Sequence, residues 1–124
     1  MGRINSRQKG ANGEREAAEW LATNFKLASK PERNLEQVRQ GGHDLIGFPP
    51  FAFEVKRQEV LEKRKWWLQA INSLTDEYSI PVVMYRQNRK KWKFLISANY
   101  LGLKNGYIEL EIKEFKEWVE NLLK

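Results

Sequence analysis

Residues 44–57, DLIGFPPFAFEVKR, limit what this chain can fold into more than any other stretch. Two short apolar runs are parted by Pro49 and Pro50, which break the backbone ladder, so the runs read as two strands of a hairpin with residues 48–50 as its loop. Facing residue numbers then sum to 98, and Asp44 stands opposite Glu54, with Cα atoms only about 5 Å apart. Side chains alternate along the second strand. Phe51, Phe53 and Val55 share one face, while Ala52, Glu54 and Lys56 share the other.

Two carboxylates across a strand pair repel one another, and burying either costs more still. A divalent cation between Asp44 and Glu54 would compensate. The donors are hard oxygens, and the chain has no cysteine and a single histidine, His43, so Mg²⁺ is expected, with Mn²⁺ able to substitute, and Zn²⁺ is disfavoured. Lys56 beside such a site would orient an attacking water and neutralise charge building on a phosphate. The triple suits metal-assisted phosphodiester hydrolysis. Two plainer readings stand beside it: an Asp after a Gly-Gly pair is often a turn residue, and Glu-x-Lys is often a solvated face. A register slipped by one residue would send the two acids to opposite faces.

The rest of the chain supplies helices and further strands. Residues 1–10 carry Arg3, Arg7 and Lys9 without an acid, a flexible basic arm ahead of one domain over residues 11–124. Ala18, Leu21 and Phe25 recur at helical spacing over residues 11–28, with Glu14 on the same stripe and Pro31 closing the helix. A short strand is expected over 34–39, a turn at Gly41 and Gly42, and strands at 44–48 and 51–57. A second helix over 63–78 places Trp67, Ala70, Ile71, Leu74 and Tyr78 on one side. Strands at 80–86, 91–97 and 107–112 follow, and Phe115, Trp118, Val119 and Leu122 mark a last helix. The order predicts a mixed α/β domain. Trp20, Trp67 and Trp118 are expected in the core, and Trp66 is the tryptophan expected to protrude.

Acid, then Glu54-Val55-Lys56 on the next strand, resembles the PD-(D/E)XK nuclease superfamily. The segment 9–21, KGANGEREAAEWL, is similar to the start of archaeal-type Holliday-junction resolvases, where a basic, glycine-containing segment leads into a helix bearing ERE. The likeness covers roughly residues 9–95. It implies a restriction-endonuclease-like fold, a central mixed β-sheet flanked by helices. It also implies that Glu14 faces the metal site from the first helix, that Asp44, Glu54 and the Val55 carbonyl are ligands, and that Lys56 is the catalytic lysine. Gln69 sits where many of these nucleases carry a polar active-site residue, with a solvated helix position as the alternative. His43 stands where the motif's name has proline; its role is contact with metal-bound water or DNA, or merely a turn.

The formal charge of +6 favours polyanionic partners. Arg86, Arg89, Lys90, Lys91 and Lys93 interleave with Trp92 and no acid, a hairpin tip suited to phosphates. Arg57, Lys63, Arg64 and Lys65 form another basic run which, with Arg3, Arg7 and Lys9 of the arm, is expected to line a DNA path toward Lys56, whereas the C-terminal stretch is rich in Glu. The expectation is a Mg²⁺-dependent endonuclease of branched or double-stranded DNA, resolving Holliday junctions as a homodimer, with one site per subunit. A nuclease of flaps, ends or duplex DNA and a non-catalytic DNA-binding module are the alternatives. No apolar run approaches the ~20 residues of a membrane span, and a cytoplasmic protein is expected, in the host cytoplasm if a phage encodes it.

Overall fold

The structure, a computed structural model, describes residues 6–35 and 43–124. In chain order the elements are α1 (Ser6–Phe25), β1 (Glu32–Arg33), β2 (Leu45–Ile46), β3 (Phe51–Arg57), α2 (Lys63–Asn72), β4 (Ile80–Arg86) and β5 (Lys93–Ser97). A 3-10 turn (Ala98–Leu101), β6 (Tyr107–Leu110) and α3 (Ile112–Leu122) complete the chain. The strands form one mixed sheet in the order β1-β2-β3-β4-β5-β6. Among the described strands, only β3 and β4 run parallel, because α2 carries the chain back across the sheet between them; the other neighbouring pairs are antiparallel. Among the described residues, no helix is long and apolar enough to cross a membrane.

Strand alternation sorts the core into two layers. Phe51, Phe53 and Val55 of β3 pack with Ala17, Ala18 and Leu21 of α1 and with Phe115 and Val119 of α3. On the opposite face, Trp66, Trp67 and Ala70 of α2 lie on Val83, Tyr85 and Leu95. The Phe115 ring stacks on Phe94 with centroids 3.8 Å apart. A capping box between Glu111 and Glu114 ends β6 and starts α3, satisfying backbone donors that would otherwise be orphaned.

Several boundaries depart from the sequence expectation. The backbone of α1 is already helical at Ser6 and ends at Phe25, where Lys26 adopts a left-handed φ of 52°. The first strand lies at Glu32–Arg33, ahead of the expected 34–39; positions 36–39, Gly41 and Gly42 fall outside the described residues. Helix α2 stops at Asn72, short of Tyr78, because the Asp76 carboxylate accepts the Tyr78 and Ser79 N–H groups and folds the chain into a turn. Tyr78 is left exposed. Trp66, expected to protrude, is 1% exposed and sits 5.3 Å from the Tyr85 ring, since α2 rotates both adjacent tryptophans toward the sheet.

Candidate active site

Leu45 pairs with Phe53, so facing residue numbers sum to 98 as expected. The Asp44 N–H donates to the Phe53 carbonyl at 2.8 Å, and Asp44 Oδ2 accepts the Val55 N–H at 2.7 Å. On its other side the Asp44 carbonyl accepts the Asn34 N–H at 2.8 Å, so β3 and the segment after β1 clamp this residue. Both acids are buried, Asp44 at 7% and Glu54 at 2% exposure. Burial, and then the adjacent Asp44 carboxylate, push the Glu54 carboxyl up to about 7, while Ser73 at the end of α2 and Lys56 pull the other way. The neighbouring Asp44 carboxylate thus disfavours a second negative charge on Glu54, as expected of two carboxyls placed side by side in a buried site.

Lys56 follows two residues after Glu54 on the same face of β3, and its Nζ donates to Gln69 Oε1 on α2 at 2.7 Å. Glu14 comes from α1 to the same cleft, of about 370 Å³, which is also lined by Gly10, Asp44, Val55, Lys56, Arg57 and Gln58. Gly13 lets it come so near: a Cβ there would meet the Arg57 Cβ at 2.8 Å. Burial raises the Glu14 pKa, against the opposing hydrogen bond from Arg33. That bond, from Arg33 Nε to Glu14 Oε1 at 2.8 Å, holds the carboxylate on the β1 side of the cleft. Among the described residues, no three His, Asp or Glu side chains converge closely enough to hold a metal.

The donor set nevertheless fits a hard divalent cation. Two adjacent buried carboxyls, one of them disfavoured as an anion by burial and by the other, offer the hard oxygens that such an ion would neutralise, and the chain has no cysteine. Asp44 and Glu54 would hold it, with the Val55 segment beside them. Glu14 would complete the set from α1 if released from Arg33.

The remaining candidates divide by position. His43 is half-buried; its carbonyl accepts Asn34 Nδ2 at 2.8 Å, and burial lowers its imidazole pKa. Arg64 is exposed on α2, and Arg89, Lys90 and Lys91 are exposed in the β4–β5 turn. Arg57 and Arg86 are mostly enclosed, and both pair with Glu16 of α1. Arg3 and the side chains of Arg7 and Lys9 fall outside the described residues. Sequence reasoning missed Arg33, Ser73 and Glu16. Glu16 alone carried a signal, as the second acid of ERE, two residues past Glu14.

A model of the family described as "phage putative PDDEXK endonuclease" matches residues 5–123. Among solved structures, the chain is similar to Hjc, a Holliday junction resolvase of the archaeal hyperthermophile Archaeoglobus fulgidus. The TM-score is 0.53 at 20% identity, over 88% of this chain and 96% of that one, a likeness of fold. No curated protein matches. A match over nearly the whole chain places the protein: it belongs to the phage PDDEXK endonuclease family of the PD-(D/E)XK superfamily.

Proposed function

We propose that this endonuclease is a Holliday-junction resolvase, a Mg²⁺-dependent enzyme that cuts four-way DNA symmetrically as a homodimer. The buried Asp44–Glu54 pair beside Lys56 carries the reading, and the resolvase-like fold supports it. Nucleases of this superfamily generally use divalent metals, and Asp44, Glu54, the Val55 carbonyl and Glu14 are the proposed ligands. The bound ion would supply Lewis-acid activation of the scissile phosphate and of a water. Lys56 contributes a fixed positive charge at the phosphate, and Gln69 holds its ammonium toward the cleft. Arg64, Arg89, Lys90 and Lys91, with Arg3, Arg7 and Lys9 of the basic segment, would grip the DNA backbone. The enzyme would act in the cytoplasm, that of the host if a phage encodes it.

An end-labelled four-way junction and a linear duplex of the same sequence, each with Mg²⁺ and with EDTA, test this. Paired, Mg²⁺-dependent cuts in the junction alone are expected. Equal cutting of both DNAs replaces the resolvase with a general nuclease, and binding without cutting leaves a DNA-binding module. Asp44→Asn should abolish cleavage while leaving DNA binding intact or tighter; loss of folding instead would make the acid structural.

A further inference from the structure

Arg57 and Arg86 end two adjacent parallel strands in direct register, β3 and β4, where α/β sheets commonly place their ligands. Both reach one carboxylate. Arg57 Nε lies 3.6 Å from Glu16 Oε2, and Arg86 Nη2 lies 2.5 Å from Glu16 Oε1. The two guanidiniums carry more donors than this one acid can satisfy. Arg57 Nη1 and Arg86 Nε are buried and find no acceptor among the described residues, although Arg86 Nη1 does reach the Lys90 carbonyl at 3.1 Å. Leaving a charged donor buried without an acceptor is costly, and native folds avoid it unless something else supplies the oxygen.

The surroundings are those of an anion site. The Arg86 guanidinium stands over the Trp92 ring, 5.8 Å from its centroid, which fixes the plane of its fork. Lys90 and Lys91 border the adjoining depression, and Arg57 lines the catalytic cleft on the other side. Glu16 is the most open member of the cluster, 38% exposed against 16% for Arg57 and 24% for Arg86. An acid on the rim of two enclosed arginines occupies the place that a phosphate, with more acceptor oxygens, would fill better.

We propose that Arg57 and Arg86 form a second phosphate site beside the catalytic cleft, held by the Glu16 carboxylate in the free protein and taken over by a backbone phosphate when DNA binds. The proposal rests on the nuclease reading only for the identity of the ligand. It gives the second acid of ERE a role distinct from that of Glu14: a competitor that the DNA must displace.

Binding of labelled duplex in EDTA over a series of salt concentrations isolates this site from catalysis, so failure to cut has no bearing on it. Glu16→Gln removes the competing charge but keeps a side chain that can hydrogen-bond, and should tighten DNA binding about fivefold, one surface interaction's worth. Arg86→Lys keeps the charge but loses the fork, and should weaken binding several-fold while leaving the salt slope nearly unchanged. Unchanged or weaker binding by folded Glu16→Gln would overturn the proposal, leaving Glu16 as a clamp for α1. If Glu16→Gln does not fold, Arg86→Lys decides: wild-type affinity would overturn it equally. Inorganic phosphate at constant ionic strength separates the sources. Raised thermal stability in wild type but not in Arg86→Lys means that the site also takes free phosphate; no such rise, with the DNA effects intact, confines it to the DNA backbone.

Discussion

Glu54 is where the cost of the site is concentrated. Its carboxyl titrates near 7 in the fold against an ordinary 4.5, chiefly because burial disfavours the charged form. A carboxyl whose folded pKa is raised contributes stability that is complete below its unfolded pKa and is lost as pH rises through the folded one. In EDTA, the melting temperature should therefore fall as pH rises from about 4.5 to above 7. Glu54→Gln should flatten this dependence and stabilise the metal-free protein at slightly alkaline pH by on the order of 2 kcal/mol. A variant less stable than wild type under those conditions would show that the charge is already compensated by Ser73 and Lys56. Metal affinity should rise over the same pH window, because an ion at Glu54 would have to displace the proton that this carboxyl retains; calorimetric titration with Mn²⁺ measures it.

At the scale of elements, the site is assembled where α1 and α2 meet opposite faces of β3. Gly13 sets how closely α1 approaches. Gly13→Ala gains helix propensity of about 1 kcal/mol, but its Cβ would sit 2.8 Å from the Arg57 Cβ, backbone-near and unable to swing away. Overpacking of this kind typically costs about 1–3 kcal/mol, so the variant should lose stability and, with Glu14 displaced, activity. Gly10, one turn earlier with nothing within 4 Å of its added Cβ, is the control: Gly10→Ala should raise the melting temperature. From the other face, α2 brings Gln69 to Lys56 and Ser73 to Glu54. Gln69→Ala, on an exposed helix position, should leave stability nearly unchanged while lowering kcat by about tenfold or more, since it frees the ammonium that the site needs fixed. An unchanged kcat would make the Lys56–Gln69 bond incidental.

Over the whole molecule, charge is sorted by partner more than by segment. The acids of the C-terminal stretch do not simply balance the basic residues at a distance: Glu109 of β6 holds Lys63 at 2.8 Å, accepts the Tyr85 hydroxyl and lies 3.9 Å from Lys93. These three basic or phenolic groups come from α2, β4 and β5, so the acid ties one face of the sheet together. That leaves Arg64, Arg89, Lys90 and Lys91 exposed for a polyanion, and DNA affinity should fall steeply with salt. Two matched cuts require two sites, so light scattering in the presence of junction DNA should give the mass of a protein dimer on one junction. A single protein chain per junction would remove the homodimer from the proposed function.

The sequence by itself determined the strand pair at the centre of the protein and which side chains it gathers. Period-two alternation and the proline break place Asp44 opposite Glu54, with Lys56 on the Glu54 face, because a register slip would have turned the phenylalanines out of the core. Helical spacing likewise put Glu14 on the inward side of α1 and Phe115 and Val119 in the core. Boundaries were less legible, since side-chain-to-backbone bonds such as those of Asp76 end elements without disturbing hydrophobic periodicity. Only the tertiary structure decided which charges are already spoken for. Arg33 on Glu14, and Arg57 and Arg86 on Glu16, are pairings between residues far apart in the chain, fixed by how closely α1 packs on the sheet. A basic residue reads alike in a sequence whether it faces solvent or an acid; distance and burial, which set its electrostatic energy, exist only once the chain has folded.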